Sequence, residues 1–264
     1  MRCCGFLTIV LLFAANLSSL ASAIPILHET PSLELRRSLN ITTRSTSPVP
    51  IGTVLTHCVV PGVVALTFDD GPYIYTPEIL ESLSQHSARA TFFLNGVNKG
   101  SIDGFPEIVR RAHAEGHQLG SHTWSHDFLN ALDYPSIVSQ MTTLEDAFLR
   151  ILGVYPTYMR IPYFAFNGVV LAAMTDLGYH VIGASVDTKD YENDDPELSY
   201  RSFEKFCTEL DAGGNVVLAH DTHQTTARVL VDNMLNEIER RGLQMVTIGE
   251  CLGDPREFWY RDGR

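Results

Sequence analysis

From Val63 onward the chain alternates short apolar runs with longer amphipathic stretches, and this alternation limits its fold more than any single motif does. The runs at 63–68, 90–95, 117–121, 157–161, 180–186, 215–219 and 244–248 have the length and composition of buried strands. Between them, 77–87, 105–115, 135–152, 168–177, 199–210 and 225–241 have helical spacing. Thr76-Pro77-Glu78 offers a cap, a first-turn proline and an early acid, while Gly116, Gly153, Gly178 and Gly242 fall where helices end. Repeated strand and helix units with buried strands imply an α/β protein with a parallel sheet. Seven units suit either a distorted (β/α) barrel or a doubly wound sheet. The expectation is the barrel, with about seven parallel strands and an active site at their carboxyl ends. No linker or sequence repeat divides the body.

The 264 residues are 45% hydrophobic and 19% charged, which suits one globular domain and excludes long disorder, collagen and a small disulfide scaffold. Nineteen Lys and Arg against 31 Asp and Glu leave a net charge of −12, a field that repels polyphosphates, so nucleic acid is not an expected partner. Residues 1–23 carry Arg2, an apolar run at 6–15 and the triplet Ala21-Ser22-Ala23, the layout of a cleavable secretory signal. Residues 24–55, which include Arg36-Arg37, read as a pro-segment or flexible arm, and 56–264 as the folded domain that would carry any activity. Beyond the signal no run is long enough to span a membrane, so a secreted, extracellular or wall-associated monomer is expected. Cys3 and Cys4 leave with the signal. Cys58 stands before the first core strand and Cys251 after the last, so a disulfide between them would close the domain on itself. Cys207, among Phe203, Phe206 and Leu210, reads as a buried thiol. Asn40-Ile41-Thr42 is the glycosylation sequon beyond the signal.

Five polar groups follow predicted strands. In Thr67-Phe68-Asp69-Asp70-Gly71-Pro72 the two carboxylates point in different directions from an extended chain, so one can bind a metal while the other stays free as a base. Read alone, Asp-Gly-Pro is a turn signal. His122 and His126, four residues apart in a helical turn, would present two imidazoles on one face. With Asp70 they would make a two-histidine, one-carboxylate site with positions open for water and substrate. Such a donor set suits zinc, and cobalt, iron or another divalent ion would also fit. Arg160-Ile161-Pro162-Tyr163, Asp187-Thr188-Lys189-Asp190-Tyr191 and Leu218-Ala219-His220-Asp221 follow three later strands. Singly these are weak signals. Together they lie on the face where parallel (β/α) architectures build active sites. His117 and His180 sit at strand beginnings, on the opposite face, and read as structural.

In this order and at these intervals, from about Cys58 to Cys251, the motifs resemble those of the polysaccharide deacetylases, carbohydrate esterase family 4. Within the family the chain is most similar to secreted fungal chitin deacetylases. The resemblance implies metal-assisted removal of N-acetyl groups from N-acetylglucosamine units of chitin or chitooligosaccharides, releasing acetate. It assigns the metal to Asp70, His122 and His126, the general base to Asp69 and its tether to Arg160. It makes His220 the general acid, tuned by Asp190. The Tyr163 amide would bind the oxyanion and Leu218 would line the acetyl pocket. Ile161 replaces a common proline, Phe164 a common glycine and Tyr191 a common tryptophan, so pocket shape and substrate range depart from the usual pattern. Tyr191 and Trp124 could stack on sugar faces or simply pack. Peptidoglycan and acetylxylan are alternative substrates, and a secreted protein that binds chitin fragments without turnover is an alternative of a different class.

Overall fold

The computed structural model describes residues 47–263. The signal segment, Arg36-Arg37 and Asn40 lie outside the described residues. In chain order the strands are β1 (Val54–Leu55), β2 (Val63–Asp69), β3 (Thr91–Leu94), β4 (Gln118–Ser121), β5 (Tyr155–Pro156), β6 (Tyr158–Met159), β7 (His180–Ile182), β8 (Val186–Asp187), β9 (Val216–His220), β10 (Gln244–Val246) and β11 (Tyr260–Arg261). The main sheet runs β1-β7-β6-β4-β3-β2-β9-β8, with β10 pairing to β2. All its pairings are parallel. It is a distorted (β/α) barrel, with helices at Thr76–Gln85, Pro106–Ala114, Tyr134–Leu152, Gly168–Leu177, Ser199–Asp211 and Val231–Arg240.

Two expectations change. The run at 180–186 is two strands rather than one, broken at Gly183: β7 pairs with β6 and β1, and β8 with β9. One stretch of chain therefore belongs to both ends of the curled sheet. The boundary at residue 55 also moves, because the end of the expected arm is folded. Val49 is buried, Gly52 N–H donates to Tyr179 O, and β1 adds to the sheet through β7.

Alternation along β2 sorts the layers. Val64, Leu66 and Phe68 face the helices, joining Ile79, Leu83, Phe148 and Met234 in the outer core. Ala65 faces inward with Phe93, Tyr158, Ile182 and Val216, against Ile248, Cys251, Leu252 and Trp259 from the carboxyl-terminal segment. Thr67 and Asp69 share the inward face with Ala65, so the last residue of β2 carries its carboxylate into the mouth of the barrel. At the other end of the strands, Cys58 and Cys251 form a disulfide. Cys207 is a free thiol, half-buried rather than fully buried, packed against the outer core.

Candidate active site

Parallel register brings the functional groups level. Asp69 pairs with His220 across β2 and β9, and Leu218 pairs with both Thr67 and Asp187. His122 directly follows β4, and Arg160 follows β6 with its N–H donating to Ser121 O. Five separate motifs thus reach one cavity of about 480 Å³, lined by Asp69, Asp70, His122, His126 and His220 and walled by Ile161, Tyr163, Phe164, Tyr191 and Leu218.

His122 and His126 do meet, but not on a helical turn. Residues 122–126 form an irregular loop in which Thr123 and His126 hold left-handed backbone, φ +71° and +58°. His122 Nδ1 lies 2.8 Å from Arg160 O and must donate to that carbonyl, so it is Nε2 that is available as a metal ligand. That atom is 3.2 Å from His126 Nε2, and Asp70 Oδ1 is 3.1 Å from His126 Nε2 and 3.6 Å from His122 Nε2. Asp70 Oδ1 is buried without a hydrogen-bond partner. Burial, with the neighbouring His122, keeps the His126 pKa below the ordinary imidazole value, favouring the neutral, ligating form. Two imidazole nitrogens and a carboxylate oxygen, all within 4.8 Å of one another, fit a divalent cation.

Asp69 is held apart from this set. Its Oδ1 accepts from Arg160 Nη1 at 2.8 Å while Oδ2 lies 3.7 Å from His122 Nε2, so one oxygen is anchored and the other faces the cavity. His220, level with Asp69 on the neighbouring strand, has its Nδ1 2.8 Å from Asp190 Oδ1. Asp190 Oδ2 accepts from His220 N–H at 2.7 Å and from Thr226 Oγ1 at 2.8 Å. Burial alone would raise the Asp190 pKa, but His220 and these donors hold it below the usual carboxylate range. Burial alone would lower the His220 pKa, yet the Asp190 carboxylate, with Asp69 and Asp70, pushes it up to about 9.

Trp124 is placed elsewhere. Its ring lies on Gly96, where even a Cβ would come within 2.0 Å of it, and it packs on the outer core outside the cavity lining. Of the two roles open to that residue, packing is the one its surroundings display. Tyr191 is 43% exposed at the cavity wall, edge-on to His220 at 5.3 Å. Sequence reading passed over Asn95, whose buried amide donates to the carbonyls of His122 and Thr123 and so fixes the histidine loop. It also passed over Asp221 as a separate group. This buried carboxylate accepts from Thr76 Oγ1 at 2.6 Å and sits so close to Gly71 that a Cβ there would approach within 2.1 Å. Burial pushes its pKa up to about 7. An Asp after a strand-end His carries no signal of its own; only the fold shows what it touches.

A family model described as polysaccharide deacetylase matches residues 57–182. A chitin deacetylase of Pestalotiopsis sp is 49% identical over 252 residues, spanning 96% of this chain and 79% of that relative. The chain belongs to the polysaccharide deacetylase family. The solved chitin deacetylase of Colletotrichum lindemuthianum superposes with a TM-score of 0.80 at 44% identity, over 82% of this chain and 98% of that one. A probable peptidoglycan-N-acetylglucosamine deacetylase of Arthroderma benhamiae is 50% identical over 217 residues, 82% of this chain, which spans 50% of that relative's length. Polysaccharide deacetylases of this family are metal-dependent, and Asp70, His122 and His126 offer this chain a suitable donor set.

Proposed function

We propose that this protein removes N-acetyl groups from N-acetylglucosamine units of chitin or chitooligosaccharides, leaving a free amine and releasing acetate. The observation that carries the reading is the grouping at the cavity mouth. An arginine-anchored carboxylate and a carboxylate-backed histidine, level with each other at the ends of β2 and β9, line one cavity with a three-donor metal set. Similarity to chitin deacetylases along most of the chain supports the substrate. The complete set of catalytic groups speaks against a binding protein without turnover.

Asp70, His122 and His126 would hold the metal, with zinc the ion that best matches two imidazoles and a carboxylate. A divalent ion there would polarise the amide carbonyl and lower the pKa of a water molecule to roughly 7. Asp69 accepts the proton of the attacking water, and Arg160 keeps its carboxylate aimed. The Tyr163 amide stabilises the oxyanion, a contribution of about 100-fold to 1000-fold for one donor in other hydrolases. His220 hands its proton to the departing amine, which is too basic to leave without one. Leu218 and Ile161 give the acetyl methyl an apolar wall. The amino-terminal 23 residues act as a secretory signal, and the Cys58–Cys251 bridge suits an oxidising destination.

Acetate release from chitin oligosaccharides should vanish on chelation and return with zinc. Asp69→Asn should lower it about 100-fold to 10,000-fold. Release from peptidoglycan fragments or acetylxylan alone would move the substrate, and no release from any of the three would end the enzymatic reading.

A further inference from the structure

The metal donors come from two strands that are not neighbours. Asp70 follows β2 and His122 follows β4, with β3 between them in the sheet. Second neighbours in a sheet lie roughly 10 Å apart. Yet Asp70 Oδ1 and His122 Nε2 are 3.6 Å apart, so the two arms lean toward each other across the end of β3. Asn95, the residue that follows β3, bonds to both. Its backbone N–H donates to Gly71 O at 2.8 Å, one residue past Asp70. Its side-chain Nδ2 donates to His122 O and, at 3.0 Å, to Thr123 O. Its Oδ1 accepts from Asn98 Nδ2 at 3.2 Å. Every donor of the residue is thus engaged, and turning the amide over would set its oxygen against two carbonyls. Each arm also has a fixed seat. Gly71 lies against the Asp221 carboxylate, which accepts from Thr76 Oγ1, and Asp221 N–H donates to Asp69 O at 3.3 Å. His122 N–H donates to Leu94 O at 2.8 Å, and Val97 N–H to Trp124 O at 2.7 Å.

We propose that Asn95 is a positioning residue that sets the gap between the carboxylate arm and the histidine arm of the metal site. The role rests on the proposed function, which puts the metal on Asp70, His122 and His126. Asn95 is 1% exposed and does not line the cavity, so it touches neither the ion nor the substrate. It acts through the backbone on both sides of the donor set. Partners of this kind, one layer behind the ligands, typically govern metal affinity by about 10-fold to 100-fold, because ligands held at the right spacing lose little freedom when the ion arrives.

The test is zinc affinity, measured by competition with a chromophoric chelator at a temperature where every variant is folded. Asn95→Leu keeps the volume and the backbone bond to Gly71 but removes both amide donations. Asn95→Ser leaves room for a water at the two carbonyls and carries the reading if the leucine variant does not fold. Met234→Ala, in the outer core away from the site, is the control for lost stability alone. Asn95→Leu and Asn95→Ser should bind zinc about 10-fold to 100-fold more weakly than the parent, and Met234→Ala with parental affinity. Parental affinity in a folded Asn95 variant, or an equal loss in Met234→Ala, would overturn the proposal. Turnover does not enter these readings. A parent that holds zinc and depends on Asn95 for it, yet releases no acetate, would sink the proposed reaction and leave the positioning role standing. A parent that binds no zinc would overturn the positioning role together with the metal set.

Discussion

Arg160 is wholly buried and makes four donations: from Nη1 to Thr67 Oγ1 at 2.6 Å and Asp69 Oδ1 at 2.8 Å, from Nη2 to Gly183 O at 2.8 Å, and from Nε to Ile182 O at 3.3 Å. The two carbonyls belong to the break between β7 and β8, so the side chain that aims the base also satisfies backbone left over where the sheet changes partner. A lysine keeps the charge but not the fork. Arg160→Lys should cost about 2–4 kcal/mol of stability in denaturant unfolding, together with most of the activity. His220 makes a second prediction, on pH. Its pKa is raised from 6.5 to about 9 in the folded protein. The stability this proton confers is therefore complete below pH 6.5 and lost as pH climbs through about 9. The alkaline limb of activity should fall in the same range, because the donor must be protonated. Asp190→Asn removes the charge that raises the pKa, so the limb should move toward 6.5 and activity at pH 8 should drop roughly 30-fold from the protonated fraction alone. A pH–rate profile that keeps its alkaline limb in Asp190→Asn would remove His220 from the acid role.

Elements longer than a few residues were legible because their apolar periodicity reports burial directly, as β2 and the helix at Tyr134–Leu152 show. Short elements made by tertiary pairing were not. β1 is two residues long and is a strand only because Val54 and Leu55 meet Val181 and Ile182. The break at Gly183 is hidden inside a short run, 180–186, whose valines and isoleucine read as one strand. At the site, residue types announced Asp70, His122 and His126, but the spacing of the histidines suggested a helix where the chain forms a loop. That loop is shaped by Asn95, by Gln140 O, which accepts from Trp124 N–H at 3.1 Å, and by the seat of Trp124 on Gly96. None of these contacts is local in sequence. Gly96→Ala should therefore push the Trp124 ring and the histidine loop together, costing about 1–3 kcal/mol and weakening zinc binding about 10-fold to 100-fold. Equilibrium zinc titration checks this, and unchanged affinity would show that the loop does not need the tryptophan.

Across the whole molecule, chemistry and closure occupy opposite ends of the strands. The catalytic groups cluster at the carboxyl ends, while the amino ends are sealed by the carboxyl-terminal segment. There Tyr158 OH donates to Asp254 Oδ2 at 2.7 Å, and Trp259 Nε1–H donates to Asp254 O at 3.0 Å. Cys58 and Cys251 join the two ends of the folded body at this base, 193 residues apart in sequence. Val59 N–H donates to Cys251 O at 3.0 Å, and Cys58 N–H to Asn215 Oδ1 at 2.9 Å. The Val59–Cys251 bond ties the two ends together beside the sulfurs, so the bridge is expected to act chiefly on the unfolded chain. A loop of that size should contribute up to about 5 kcal/mol in the chain-entropy account. Cys251→Ser, or reduction of the intact protein, should lower Tm and the denaturant midpoint substantially. At temperatures well below the new transition kcat and zinc affinity should stay at parental values, because no catalytic group is anchored at the base. Loss of kcat at full native structure would mean that the base of the barrel sets the geometry of its mouth.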